Sequence, residues 1–260
     1  MLTLLSPAKT MDFDFRTGGL PTTEPRFGQD IELLLKRCRK LTVAELRKLM
    51  KLSQPLAELN RQRFREMTLP FTPDNSKPCL LAFGGDVYRG LAAASLSKRD
   101  LTWAQRRLRI LSAFYGLLRP LDLIQPYRLE MGTRLDNARG KNLYDFWGGR
   151  LTEALNAEHE QRPVKLVLNL ASNEYFKGVR PGELKPPLVT ALFKEIRDGQ
   201  PKTISFSAKR ARGLMARFIV KNRVDRLDGL KDFLEEGYCF RPDLSDDDRL
   251  LFVRHQHWAA

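Results

Sequence analysis

The chain has 260 residues, 42% of them hydrophobic, and its 45 Lys and Arg against 31 Asp and Glu give a net charge of +14. That length and composition describe a globular protein with one large core or two small ones. No run approaches the roughly 18 uninterrupted apolar residues of a membrane helix, and Met1-Leu2-Thr3-Leu4-Leu5 lacks the basic leader of a signal segment, so no membrane partner is expected. Isolated Cys38, Cys79 and Cys239, odd in number and without C-x-x-C spacing, fit a reducing cytoplasm and exclude a disulfide framework. Basic residues concentrate in 36–65, 98–109 and 202–226, with an acidic island at 243–248. This pattern favours a polyanion, nucleic acid first, although any single run also reads as a solvated helix face.

In chain order, four apolar runs read as buried strands, each emptying into small polar and charged residues. Leu2-Thr3-Leu4-Leu5 leads into Ser6-Pro7-Ala8-Lys9-Thr10, and Leu80-Leu81-Ala82-Phe83 into Gly84-Gly85-Asp86-Val87-Tyr88. Val164-Lys165-Leu166-Val167-Leu168 leads into Asn169-Leu170-Ala171-Ser172-Asn173-Glu174-Tyr175, and Thr203-Ile204-Ser205-Phe206 into Ser207-Ala208-Lys209-Arg210. Ligands of helix-flanked sheets bind beyond the carboxyl ends of strands, so the four clusters are expected to line one cleft; ordinary strand-to-helix turns are the alternative. Residues 10–29, without apolar periodicity, read as a long surface loop able to cover it. Periodicity predicts helices over 28–40, 42–50, 54–67, 102–118, 151–160 and 209–220, and further strands over 189–193 and 250–254. The sum is a single α/β domain over 1–260, with a mixed sheet flanked by helices. No Gly-rich dinucleotide or Walker loop follows a strand, so no cofactor is specified.

Residues 42–65 resemble a helix-hairpin-helix, a unit that grips the DNA backbone. Thr42-Val43-Ala44-Glu45 is a capping box that starts the first helix. Met50-Lys51-Leu52-Ser53 makes the turn, and Ser53 with Pro55 opens a second helix carrying Arg61, Arg63 and Arg65. Such a turn offers backbone amides to a phosphate and positions DNA without reading its sequence. Lys51 and Ser53 stand where that motif has glycines, which loosens the amide geometry while placing a charge beside the phosphate. Lys51, Ser53, Arg61, Arg63 and Arg65 are the candidate DNA contacts, and two plain core helices are the alternative.

Helical periodicity ends at Arg119-Pro120, because a residue before proline avoids the helical region. In Tyr127-Arg128-Leu129-Glu130-Met131, alternation sets Arg128 and Glu130 on one side, opposite Tyr127 and Leu129. The pair is either a structural ion pair or a working one, with Arg128 binding an anion or base edge and Glu130 serving as acid/base or orienting group. The aromatic run Asn142-Leu143-Tyr144-Asp145-Phe146-Trp147 reads as core.

Several of these segments, in order, resemble the YaaA peroxide-stress-response family. They are Leu5-Ser6-Pro7-Ala8-Lys9-Thr10-Met11-Asp12, Gly85-Asp86-Val87-Tyr88, Tyr115-Gly116-Leu117-Leu118-Arg119-Pro120-Leu121-Asp122 and Pro126-Tyr127-Arg128-Leu129-Glu130-Met131-Gly132. Asn169-Leu170-Ala171-Ser172 with Glu174-Tyr175-Phe176, and Ala208-Lys209 with Ala211-Arg212-Gly213-Leu214-Met215, continue the likeness to the end of the chain. The resemblance implies an unusual mixed α/β fold, protection from hydrogen peroxide by lowering the unincorporated iron that drives Fenton chemistry, and DNA binding through a helix-hairpin-helix beside a basic cleft. It brings no reaction and no catalytic residues.

Two functions of different class follow. One is a DNA-binding protein that shields double-stranded DNA or limits iron near it. The other is an enzyme acting on a nucleotide, nucleobase or damaged DNA end, with Lys9, Tyr88, Arg128, Glu130, Asn169, Glu174, Tyr175, Lys209 and Arg212 lining a cleft that also suits a phosphate. Direct iron storage is disfavoured: His159, His255 and His257 are the only histidines, and paired-helix E-x-x-H ligands are missing.

Overall fold

Apolar runs with no polar face have to be covered on both sides, and here they pair into one central sheet. In the computed structural model, which describes residues 1–14 and 19–255, β1 (Leu2–Leu5) is followed by α1 (Gly28–Arg39), α2 (Val43–Met50) and α3 (Gln54–Glu66). Next come β2 (Lys77–Pro78), α4 (Cys79–Ala82), α5 (Gly85–Leu91), α6 (Lys98–Arg107), β3 (Leu108–Ser112), β4 (Gly116–Leu118) and β5 (Leu123–Ile124). After α7 (Leu143–Trp147) and α8 (Arg150–Gln161), the chain continues through β6 (Val167–Asn169), α9 (Asn173–Phe176), β7 (Leu188–Arg197) and β8 (Gln200–Lys202). The last elements are α10 (Ser205–Asn222), β9 (Cys239–Phe240) and β10 (Arg249–His255).

The sheet runs β4-β3-β1-β6-β7-β10-β9, with β8 paired to the far end of β7. Its central strands β3, β1, β6, β7 and β10 are parallel, whereas β4, β8 and β9 pair antiparallel. The fold is therefore α/β in one domain with a mixed sheet, as the sequence led us to expect. β1 and β3 are buried along their whole length, the pattern of parallel strands covered by helices on both faces. β2 and β5 form a separate two-stranded ribbon.

Glycine sets the distance between α5 and α10. A Cβ on Gly213 would fall 1.8 Å from the Val87 carbonyl oxygen, and one on Gly90 would fall 2.4 Å from that of Arg210. Two backbones meeting this closely fix the relative placement of everything the two helices carry.

Four expectations are corrected. Residues 80–82 end the single turn α4 and Phe83 follows it as an isolated bridge partner of Met11, so the run is no strand; a four-residue apolar run is as easily a buried helical turn. Residues 203–206 are no strand either: α10 begins at Ser205, and the chain reaches it from the β7–β8 hairpin. Residues 102–118 are not one helix; α6 stops at Arg107, and 108–112 pair with β1 as β3. The strand expected over 164–168 begins later, at Val167. The loop over 10–29 is tied down where it is described: Met11 bridges Phe83, Thr23 bridges Asp122, and Phe27 packs edge-on against Trp147 at 5.2 Å. Residues 15–18 of that loop, and His257, lie outside the described residues.

Candidate functional site

Beyond the carboxyl ends of β1 and β6 lies a cleft of about 360 Å³, lined by residues of all four polar clusters. Ser6, Lys9 and Thr10 come from the turn after β1, Ser172, Glu174 and Tyr175 from the turn and helix after β6, Gly85, Asp86 and Arg89 from α5, and Lys209 and Arg212 from α10. Only the first two groups are strand ends. The others reach the cleft as the amino-terminal turns of α5 and α10, whose spacing the Gly90 and Gly213 contacts fix.

Hydrogen bonds stitch the walls together. The Ser172 backbone N–H donates to Ser6 Oγ at 2.8 Å, and the Ser6 hydroxyl donates to Ser172 Oγ at 3.2 Å, joining the two strand ends. Tyr88 does not line the cleft: it is buried beneath it, and its hydroxyl donates to the Ser6 carbonyl at 2.9 Å. Asn169 is likewise buried, with Oδ1 accepting from the Ala171 N–H at 2.9 Å to close the turn after β6. Both are positioning residues.

Across the mouth, Glu130 is held from two sides, Lys9 Nζ at 2.7 Å from Oε2 and Arg128 Nη2 at 3.0 Å from Oε1. Alternation thus places Arg128 and Glu130 together, with Tyr127 and Leu129 buried opposite. Glu174 Oε1 accepts from the Gly132 N–H at 3.0 Å, which docks the 127–132 segment onto the cleft. Burial pushes the Tyr175 phenol well above its usual range, so it stays protonated and keeps a hydroxyl proton to donate. Arg212 is lowered by burial and its Nε has no partner among the described residues, so a guanidinium edge is left free inside the protein. Four cations, Lys9, Arg89, Lys209 and Arg212, thus face two carboxylates, Asp86 and Glu174. Ser6, Ser172, Asp86 and Arg89 were not among the sequence candidates; the first three belong to the polar clusters, whereas Arg89 lies one residue beyond its cluster.

The α2–α3 hairpin supplies none of the residues that line this cleft. Thr42 and Glu45 form the capping box, the Thr42 N–H donating to Glu45 Oε2 at 2.7 Å and the Glu45 N–H to Thr42 Oγ1 at 3.2 Å. Leu46, Leu52, Ala57 and Phe64 bury the inner faces. Lys51 takes the left-handed conformation, φ 52°, at a position where glycine is the unstrained choice. Ser53 precedes α3 without capping it, which leaves the Gln54 and Leu56 amides unanswered by a side chain, Pro55 having no N–H to offer. Among the described residues, Lys48, Lys51, Arg61, Arg63 and Arg65 make no salt bridge. Arg63 is the one on the side of Arg128: burial and then the neighbouring charge of Arg128 lower its guanidinium. Arg61 and Arg65 lie on another face of α3, along a shallow groove with Glu58 and Glu66. The five candidate contacts are therefore divided between the hairpin tip, the neighbourhood of Arg128 and this groove.

A family model described as peroxide stress protein YaaA matches residues 1–244. Curated relatives include a UPF0246 protein of Aliivibrio fischeri strain MJ11, 51% identical over 98% of this chain and 99% of its own length. Another, a UPF0246 protein of Burkholderia mallei strain SAVP1, is 52% identical over 98% of both chains. The chain belongs to the YaaA family. In this YaaA-family protein no group of three or more His, Cys, Asp or Glu side chains converges to hold a metal among the described residues. Nor is any described helix long and apolar enough to cross a membrane.

Proposed function

We propose that this YaaA-family protein protects against peroxide stress by binding double-stranded DNA through the α2–α3 hairpin and the basic cleft, limiting iron-driven damage to the DNA it covers. The observation that carries this reading is the hairpin tip, where Lys51, in the left-handed position, stands beside the uncapped amino end of α3. Amides and charge together suit a phosphate and ignore base identity. Basic side chains that neutralise DNA phosphates release the cations condensed on them, ferrous ions included, so binding and lowered Fenton damage have one electrostatic origin. In the test, Lys51→Glu with Arg61→Glu weakens duplex binding at least about tenfold for all sequences alike. It also restores iron- and peroxide-dependent nicking of plasmid DNA. Unchanged affinity would leave residues 42–65 as packing.

Glu130, held between Lys9 and Arg128, favours a second reading, an enzyme acting on a nucleotide, nucleobase or damaged DNA end. A passive phosphate binder has no use for a carboxylate there. Under that reading Glu130→Ala abolishes protection in cells while duplex affinity holds; full protection by a folded Glu130→Ala protein leaves the DNA-binding reading alone.

A further inference from the structure

We propose a second anion site at the opposite, amino-terminal end of the central strands, built for a compact polyphosphate chain. Parallel pairing sets Leu2, Leu108 and Val167 at the same end of the sheet. The arginines preceding β3 and β6 are therefore across the sheet from the Lys9 cleft. There a cavity of about 530 Å³ is walled by Arg99, Trp103, Arg106 and Arg107 of α6, by Arg162 after α8 and by Arg223 after α10.

Positions 99, 103, 106 and 107 recur at helical spacing, so a single face of α6 supplies four of these walls. Arg109, two residues on, is buried and bound by Glu158 with Nη2 to Oε2 at 2.6 Å. The basic run thus divides into an inward structural arginine and an outward set. Of the outward set only Arg223 has a carboxylate, Asp100 at 2.7 Å. Among the described residues Arg99, Arg106, Arg107 and Arg162 have no carboxylate at salt-bridge distance, although the charge of Asp225 acts on Arg107.

Three helix carboxyl ends point here, but at about half a negative charge each they offset less than two of the four free guanidiniums. Burial, and next the charge of Arg162, lower Arg107. Arg107 and Arg223 lie 5.7 and 5.4 Å from the Trp103 ring, which fixes two of the guanidiniums in place. Fixed like charges around a cavity are stable once an anion joins them. Its volume is that of small-molecule sites, and guanidiniums gathered around one depression suit a ligand with several charges close together. Closely spaced phosphates, as in a nucleoside triphosphate or inorganic polyphosphate, meet several guanidiniums at once.

The test titrates inorganic tripolyphosphate into the full chain, following tryptophan emission and heat. We expect micromolar binding with a change in emission. Arg107→Ala with Arg162→Ala should weaken it at least tenfold, and Trp103→Phe should remove the optical change while the heat signal persists. Lys51→Glu with Arg61→Glu should leave it unaltered. Should the arginine pair fail to fold, Arg162→Glu alone, at an exposed position, is expected to give the same loss. Wild-type tripolyphosphate affinity in the arginine variants overturns the proposal, as does loss confined to the hairpin variant. So does an arginine variant that loses duplex DNA but keeps tripolyphosphate, which marks the patch as one more DNA contact. A nucleoside triphosphate that binds at least tenfold more tightly than tripolyphosphate identifies a nucleotide, and equal affinity identifies the inorganic chain.

Discussion

Gly213 on α10 lies against the backbone of Val87 on α5 so closely that a single added carbon would sit 1.8 Å from the Val87 carbonyl oxygen. The obstacle is backbone, which no rotamer change can move aside. Gly213→Ala must push the helices apart, and we expect it to lose at least about 3 kcal/mol in urea denaturation, the upper end for overpacking. Gly182→Ala, where a Cβ meets nothing within 4 Å, is the control and should be near neutral. Similar losses in both variants would show that the helix crossing is not the tight point.

Lys51 separates stability from binding. Its left-handed backbone is strained, φ 52°, so Lys51→Gly should gain about 1 kcal/mol, seen as a Tm rise of about 2–4 °C. The same change removes one cation, and duplex affinity should fall with a salt slope shallower by about one. A Tm rise with no change in affinity removes Lys51 from the DNA contacts.

Glu195 gives the acid dependence. Burial pushes its carboxyl up, but the Ser207 hydroxyl and the Arg254 and Arg197 guanidiniums outweigh this and hold it at about 2. Because the folded value lies below the unfolded one, of about 4.3, its stabilisation is complete above pH of about 4.3 and drains away as pH falls toward 2. Glu195→Gln should cost about 3 kcal/mol at pH 7. Urea midpoints of variant and wild type should then converge toward pH 2–3. A constant gap across that range would mean that Glu195 is not ionised by its arginines.

Thiol chemistry should single out one cysteine. Burial pushes Cys38 up to about 12 and Cys79 well above its ordinary value, whereas Cys239 is exposed. A maleimide should label Cys239 alone in the native protein and all three cysteines in denaturant. Native labelling of Cys38 measured by peptide mapping would reveal opening of the α1 packing.

Where pattern and environment agreed, the sequence was legible. Leu2–Leu5 and the alternating β7 read directly as strands, and the Thr42–Glu45 box marked the start of α2 within a residue. Convergence of the four polar clusters was readable too, although two of them arrive on helices. Leu108–Ser112 was hidden because leucine and arginine favour helix, and only pairing with β1 makes the segment extended. The Ser97–Asp100 capping box, which starts α6 ahead of the expected position, went unread. So did Asp198-Gly199, both at positive φ, a two-residue turn that announces the β7–β8 hairpin. Tyr88 and Asn169 were placed in the cleft because they lie in the polar clusters that follow apolar runs, and nothing local betrays that their polar atoms are already satisfied.

The register of β1 carries a timetable for synthesis. Thr3 has Leu108 on one side and Leu168 on the other, so the strand at the heart of the sheet is made first and waits for both partners. Until Leu108 is made, Leu2–Leu5 is an apolar ribbon with two bare edges, and a nascent chain halted before Val167 still exposes one. Such an edge is the template on which chains pair with each other. Fragments ending at residue 160 should therefore sediment as aggregates unless a holding chaperone covers β1, while the full chain closes both edges by its own later strands.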